Sequence, residues 1–222
     1  MIRQDTRNIK RWPAYCLAFS LILPAWAHAG DASQLLQQSI DQIIVLLKDK
    51  TLDRTDRRAR MKSLIEKRFD FKVMSRFTLA LDWRKATPTE RDSFVQRFTR
   101  MVEASYLGRL EQYNGQKVEI RDERLRGDKA VVNTAIVTQN VDIPINYKMR
   151  REGNDWRIYD VQIEGVSLVR NYRDSYRTII KNEGMSGLLT RMEKKIAELE
   201  KEDEAKTDKS PIASNKGDEP LN

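Results

Sequence analysis

The sequence predicts an α+β fold, with helices at both ends of the domain and an antiparallel sheet between them. Apolar residues recur every three or four positions over residues 31–113 and again over residues 167–201, which is typical of amphipathic helices. Between these regions the pattern changes to alternation at every second residue, which is typical of strands. Short glycine-containing segments separate the alternating runs, so we expect consecutive strands to pair antiparallel.

Three helices are predicted before residue 82. The first covers residues 31–48, and its apolar face consists of Leu36, Ile40, Ile43, Ile44 and Leu47. The second covers residues 53–69. The third covers residues 71–81, and its large apolar groups are Phe71, Met74, Phe77 and Leu81. The spacing of these side chains gives each helix one face that must be buried against the rest of the domain.

The fourth helix has the most complete start signal in the chain. Thr87 supplies a capping hydroxyl, Pro88 occupies the first helical position and Glu90 occupies the third. This combination satisfies backbone N–H groups that have no partner inside the helix. We expect the helix to begin here, to reach about Tyr113 and to end before Gly115.

Four strands are predicted in succession. They cover residues 117–121, 130–137, 143–150 and 156–163. Turns are expected at Gly127-Asp128 and at Gly153-Asn154, because these residue types adopt the backbone conformations of tight hairpins. The short connections predict an antiparallel meander.

Two more helices complete the domain, over residues 167–183 and 185–201, with Gly184 between them. After Glu202 the chain is charged and polar with almost no apolar residues, so residues 203–222 are predicted to be disordered. The folded domain is therefore expected to span residues 30–202.

Residues 1–29 have the three-part layout of a secretory signal peptide. Lys10 and Arg11 form a positive start, an apolar stretch follows over residues 12–25, and a small-residue cleavage site ends at Ala29. An uncleaved membrane anchor is the alternative, but the apolar run is shorter than the roughly 20 residues that span a bilayer. We therefore predict export and cleavage.

The only cysteine, Cys16, and the only histidine, His28, lie inside this leader segment. The cleaved protein has neither residue, which excludes a disulfide, a zinc site with Cys or His ligands, a Ser-His-Asp triad and a thiol nucleophile. We therefore expect a binding protein that has no catalytic residues, no metal and no cofactor. Acidic and basic residues are interspersed without a basic stripe, so no nucleic-acid partner is expected.

Two stretches of the chain are recognisable. Residues 69–110 read FDFKVMSRFTLALDWRKATPTERDSFVQRFTRMVEASYLGRL, and residues 156–189 read WRIYDVQIEGVSLVRNYRDSYRTIIKNEGMSGLL. Both resemble the MlaC family of periplasmic phospholipid-binding proteins, also called the toluene-tolerance auxiliary family. The most specific part is Asp160-Val161 with the segment EGVSL that starts at Glu164. The resemblance covers about residues 32–200.

The resemblance implies a fold similar to nuclear transport factor 2, with a curved antiparallel sheet wrapped by helices around an apolar cavity. It also implies a periplasmic carrier that holds phospholipid acyl chains in this cavity. Such a carrier would exchange lipid between an inner-membrane ABC transporter with an MCE domain and an outer-membrane lipoprotein complex.

A carrier of this kind needs large apolar side chains around its cavity, because one sixteen-carbon chain in water costs on the order of 12 kcal/mol, at about 0.8 kcal/mol per CH₂. For any single candidate, ordinary core packing is the more common role of a buried apolar residue, so the prediction concerns the set. The candidate lining residues are Phe77, Leu81, Trp83, Tyr106, Leu110, Val132, Ile145, Tyr147, Tyr159, Val161, Val166 and Tyr172.

Three alternatives stay open on the sequence alone. Another hydrophobic cargo, such as a hopanoid, would need the same kind of cavity. A cavity enzyme of isomerase type would have to use carboxylates such as Asp160 and Glu164 near a strand end, although a hydrogen-bonding role in the turn is the expected one. A structural adaptor would have a filled core.

Overall fold

The computed structural model describes residues 31–208. Its helices are Asp31–Lys48 (α1), Arg54–Arg68 (α2), Phe71–Leu79 (α3), Asp82–Lys85 (α4), Pro88–Glu111 (α5) and Leu168–Asp208 (α6). Its strands are Lys117–Arg126 (β1), Lys129–Val137 (β2), Ile143–Glu152 (β3), Asp155–Ile163 (β4) and Val166–Ser167 (β5). The predicted signal peptide lies outside the described residues. Within residues 31–208, no helix is long and apolar enough to cross a membrane.

The strands form one antiparallel sheet in the order β1-β2-β3-β4-β5, which confirms the predicted α+β fold and meander. The two predicted hairpin turns connect β1 to β2 and β3 to β4. The short strand β5 was not predicted. It folds back on β4 through a turn at Glu164 and Gly165, whose φ angles are 50° and 83°.

Helix α5 begins as its start signal predicts. The Thr87 backbone N–H donates to the Glu90 carboxylate at 2.8 Å, and the Glu90 backbone N–H donates to the Thr87 hydroxyl at 3.2 Å. This reciprocal pair is a capping box with Pro88 at the first helical position. The local signal therefore fixes where the long helix of the domain starts.

The inner face of the sheet packs against α1 and forms the first of two apolar clusters. Cross-strand register places Val132, Tyr147 and Val161 in one row on this face. We call this group the sheet cluster, and its buried members are Ala32, Leu36, Ala130, Val132, Met149, Trp156, Ile158 and Val161.

The second apolar cluster lies between α3, α5 and α6. It contains an aromatic stack in which the Phe94 and Phe98 ring centroids are 5.7 Å apart. We call it the helix cluster, and its buried members are Phe71, Met74, Leu79, Phe94, Phe98, Met101, Val102, Leu168, Val169, Tyr176, Leu188, Met192 and Ile196. Phe69 packs against both clusters, so the two halves of the domain meet at this residue.

The first part of α6 runs antiparallel to α5. The Tyr172 ring meets Phe98, and the Tyr176 ring meets Phe94, four residues earlier in α5. Gly184 then breaks the helix with φ 71° and ψ −174°, a conformation that glycine adopts without steric cost. We call residues 168–183 the first arm and residues 185–208 the second arm.

The second arm runs parallel to α5. Arg100 pairs with Glu193, and further along both helices Gly108 lies against Asp203. A Cβ atom at Gly108 would come within 2.8 Å of the Asp203 carboxylate, so a larger residue here would displace that carboxylate. The two arms therefore form a helical hairpin that reverses at Gly184, which confirms the prediction of two helices separated there.

The second arm extends past the predicted end of the domain. Disorder was predicted from residue 203, but the helix continues to Asp208. Asp203 is held by ion pairs with Arg54 and Arg58, and both arginines also bind Glu111. These contacts with α2 and α5 stabilise a polar segment whose composition alone does not predict folding. Residues 209–222 lie outside the described part of the chain.

The same contacts lower the pKa values of two acidic groups, Asp203 and Glu111. The hydrogen bond from Arg58 holds the pKa of Asp203 below its ordinary value. Burial acts to raise the pKa of Glu111, but the hydrogen bonds from Arg58 and Arg54 outweigh this effect and lower it. Both carboxylates therefore stabilise the folded state in their charged form.

Replacing Asp203 with Asn is expected to lower the free energy of unfolding by about 1–2 kcal/mol at neutral pH, because the charge-assisted hydrogen bonds lose their anion. Because the pKa of Asp203 is lower in the folded state, its carboxylate stabilises the fold fully at pH values above the unfolded-state pKa of 3.8. This stabilisation is lost as the pH falls through the folded-state pKa. Urea unfolding at neutral pH and at about pH 2 measures both effects.

The matched control is Glu204→Gln, an exposed position one residue further along the same arm. It is expected to leave the free energy of unfolding unchanged. If Asp203→Asn costs as much stability at acid pH as at neutral pH, the ion pairs do not stabilise the second arm.

Candidate functional site

The twelve candidate lining residues fall into three classes of exposure. Val132 and Val161 are buried in the sheet cluster. Six are half-buried, namely Trp83, Tyr106, Ile145, Tyr147, Tyr159 and Tyr172. Four are exposed, namely Phe77, Leu81, Leu110 and Val166. Seven of the twelve belong to or pack against one of the two apolar clusters, four at the sheet cluster and three at the helix cluster.

Tyr147 is the central candidate on the sheet. It pairs across strands with Val132 and Val161 and packs against the sheet cluster. Burial raises the pKa of Tyr147 to about 12, although the side chain keeps part of its accessible surface. The phenol therefore stays neutral at ordinary pH.

Three aromatic candidates line the edge of the helix cluster. Trp83, Tyr106 and Tyr172 are half-buried and pack against it. Tyr172 lies within hydrogen-bond distance of the Ser105 hydroxyl, at 3.4 Å between the oxygens. Burial raises the pKa of Tyr172 despite this contact, so the phenol stays neutral and presents its ring as apolar surface.

The exposed candidates form no interior lining in this conformation. Leu81 is 64% exposed because it follows Ala80, whose φ of 50° turns the chain outward at the end of α3. Val166 is 60% exposed in β5. Phe77 packs only edge-on against Tyr159, with ring centroids 5.7 Å apart. A place inside a cavity stays a prediction for these side chains.

None of the twelve candidates lines either of two surface clefts that lie within residues 31–208. The first, of about 520 Å³, lies between α2, α5 and the second arm and is lined mainly by charged groups around Arg54 and Glu111. The second, of about 570 Å³, lies within the hairpin of α6 and reaches α5. The second cleft could not be predicted from the sequence, because its apolar residues have the spacing of ordinary core positions.

Asp160 has a structural role. Its buried carboxylate accepts hydrogen bonds from the Ser167 hydroxyl at 2.8 and 3.0 Å, from the Val169 backbone N–H at 3.3 Å and from the Lys148 ammonium at 3.1 Å. These contacts fix the start of α6 against β4. Glu164 is exposed in the preceding turn. The hydrogen-bonding role expected for Asp160 is therefore confirmed.

Within the described part of the chain, no group of His, Cys, Asp and Glu residues is arranged to hold a metal ion.

The family model and the curated relatives that match this chain agree on one family. Residues 37–194 match the family model described as MlaC protein. The chain is 27% identical over 122 residues to the "Intermembrane phospholipid transport system binding protein MlaC" of Haemophilus influenzae, covering 52% of this chain and 57% of that protein. It is 25% identical over 103 residues to "Toluene tolerance protein ttg2D" of Pseudomonas putida, covering 46% of this chain and 48% of that protein. These alignments span about half of each curated relative.

One similar solved structure is that of a phospholipid-binding protein from Ralstonia solanacearum in complex with a phospholipid. The TM-score is 0.69 at 24% identity, and the match covers 77% of this chain and 99% of the other. The likeness supports the same α+β fold with an open antiparallel sheet.

Replacing Asp160 with Ala is expected to lower the free energy of unfolding by about 2–4 kcal/mol, because the Ser167 hydroxyl, the Val169 N–H and the Lys148 ammonium lose a buried acceptor. Chemical denaturation monitored by circular dichroism measures the loss. Asp174→Ala, at an exposed position on the same helix, is the control and is expected to be nearly neutral. An equal effect of the two substitutions would contradict the role of Asp160.

Proposed function

Because this chain belongs to the MlaC family, we propose that it is a non-enzymatic carrier that binds phospholipid and moves it through an aqueous compartment. The observation that carries the proposal is the family match over residues 37–194. That range includes most of both apolar clusters and the residues that join them.

The proposed lipid site is the region between the accessible edges of the two clusters. On the sheet side, Ile145 and Tyr147 are apolar and keep accessible surface. On the helix side, Trp83, Tyr106 and Tyr172 pack against the helix cluster and are also half-buried. We propose that these five side chains form the walls of the site. The exposed candidates, including Leu81 and Val166, would lie at its rim.

A site built only from such side chains matches the physical task. The barrier to moving a lipid is the exposure of its acyl chains to water, on the order of 12 kcal/mol for one sixteen-carbon chain. Apolar surface removes that cost without any catalytic group. The tyrosine hydroxyls stay neutral at ordinary pH, since burial raises the pKa of Tyr147 to about 12, and so they add no charge to the site.

We further propose that the protein works in the periplasm after cleavage of residues 1–29. Its partners there would be an inner-membrane ABC transporter with an MCE domain and an outer-membrane lipoprotein complex. The leader-like composition of the first 29 residues supports export.

A hopanoid or another hydrophobic cargo would use the same kind of surface, so the bound molecule must be identified directly. Protein purified from an expressing bacterium is expected to release phospholipid in near-stoichiometric amount on extraction with organic solvent. Mass spectrometry of the extract identifies the cargo. A hopanoid as the main species would replace phospholipid in the proposal, and an extract without any lipid would overturn it.

Tyr147→Arg tests the location of the site. The substitution places a charge on the apolar surface, where burial without a partner is costly, and is expected to lower the amount of co-purified phospholipid several-fold. Lipid content per mole of protein is measured together with the circular dichroism spectrum.

Val141→Arg introduces the same charge at a position that is 66% exposed, and it is expected to leave lipid content unchanged. If a folded Tyr147→Arg protein retains the wild-type amount of lipid, the site does not lie between the two clusters.

A further inference from the structure

The cleft within the α6 hairpin combines an apolar floor with a basic rim. Its volume of about 570 Å³ is within the roughly 300–1,000 Å³ of small-molecule sites. The floor is formed by residues of α5 and both arms, which are Met101, Tyr176, Ile179, Leu188 and Met192. All except Ile179 are at least nine-tenths buried, so the helix cluster itself forms the bottom of the cleft.

Tyr176 contributes a polar atom that the protein does not use. The side chain lines the cleft and is only 6% exposed. Its hydroxyl is buried and has no hydrogen-bond partner within the described residues. Burial without a partner is unfavourable for a hydroxyl, so a ligand oxygen that reaches this group from the cleft would satisfy it.

The rim carries an excess of positive charge. Arg191, Lys194 and Lys195 line the cleft together with a single acidic residue, Glu198. Arg191 pairs with Glu183, and Lys195 pairs with Glu198. Lys194 is exposed and takes part in neither of these ion pairs of the rim. The rim therefore has one ammonium group that is free to bind an anion.

We propose that this cleft binds an acyl chain with an anionic head group, as a second ligand site separate from the surface between the two clusters. The chain contacts the apolar floor, Lys194 and its neighbours bind the anion, and the Tyr176 hydroxyl donates to an oxygen of the ligand. A fatty acid and an anionic phospholipid share this chemistry. The inference does not depend on the site at Tyr147, because the two sets of residues do not overlap.

The test uses delipidated, signal-peptide-free protein and the fluorescent fatty acid cis-parinaric acid, whose emission rises in apolar surroundings. Saturable binding is expected, and the double variant Lys194→Gln/Lys195→Gln is expected to weaken it at least about tenfold, since charge-assisted contacts are lost. The uncharged methyl ester is expected to bind wild type about as weakly as the acid binds the variant. Tyr176→Phe is expected to weaken binding by a smaller factor.

The control is Lys72→Gln/Lys129→Gln, which removes the same charge at exposed positions on α3 and β2. It is expected to retain wild-type affinity. Equal loss in both double variants, equal affinity for acid and ester, or no saturable binding would each overturn the proposal.

Competition identifies the natural source of the ligand. Displacement of the probe by lysophosphatidylglycerol but not by palmitate would support a phospholipid, and the reverse would support a fatty acid. Tyr147→Arg separates this inference from the proposed carrier function. If that variant loses co-purified phospholipid but keeps its affinity for the probe, the two sites are separate. If it loses both the phospholipid and the probe affinity, the second site is overturned.

Discussion

Phe69 is the residue at which the two halves of the domain are joined. It packs against both apolar clusters, and its ring stacks on Phe71 at 5.7 Å between centroids. Its carbonyl accepts a hydrogen bond from Arg157 at 2.8 Å, and the following backbone N–H, of Asp70, donates to the Ile158 carbonyl at 2.8 Å. The joint between α2 and α3 is therefore fixed to β4 by main-chain contacts as well as by packing.

Several large apolar side chains pack against only one of the two clusters and remain partly accessible. The helix cluster and the sheet cluster each have their own buried centre, and only a short part of the chain belongs to both. A single continuous core would bury residues such as Tyr147 and Tyr106 completely. The half-buried aromatic side chains, among them Tyr106 and Tyr147, lie outside the buried centres of the two clusters.

The helical hairpin depends on a different set of contacts. Gly184 reverses the chain, Gly108 allows the second arm to approach α5 closely, and Asp203 is bound by two arginines. Ion pairs at a surface are individually weak, but here they connect three helices and extend the ordered chain beyond its apolar part. The same hairpin forms the cleft with the basic rim, so the ordered second arm and the cleft have a common structural origin.

Local sequence patterns determined the long helices and the four long strands of this protein. The capping box at Thr87, the alternation of the four long strands and the break at Gly184 each depend on residues close together in the chain, so they could be predicted without the structure. The tertiary structure alone decided that Leu81 and Val166 are exposed, that Asp203 lies in an ordered helix and that the hairpin encloses a cleft. These properties depend on contacts between residues far apart in sequence, and hydrophobic spacing does not specify which apolar faces meet.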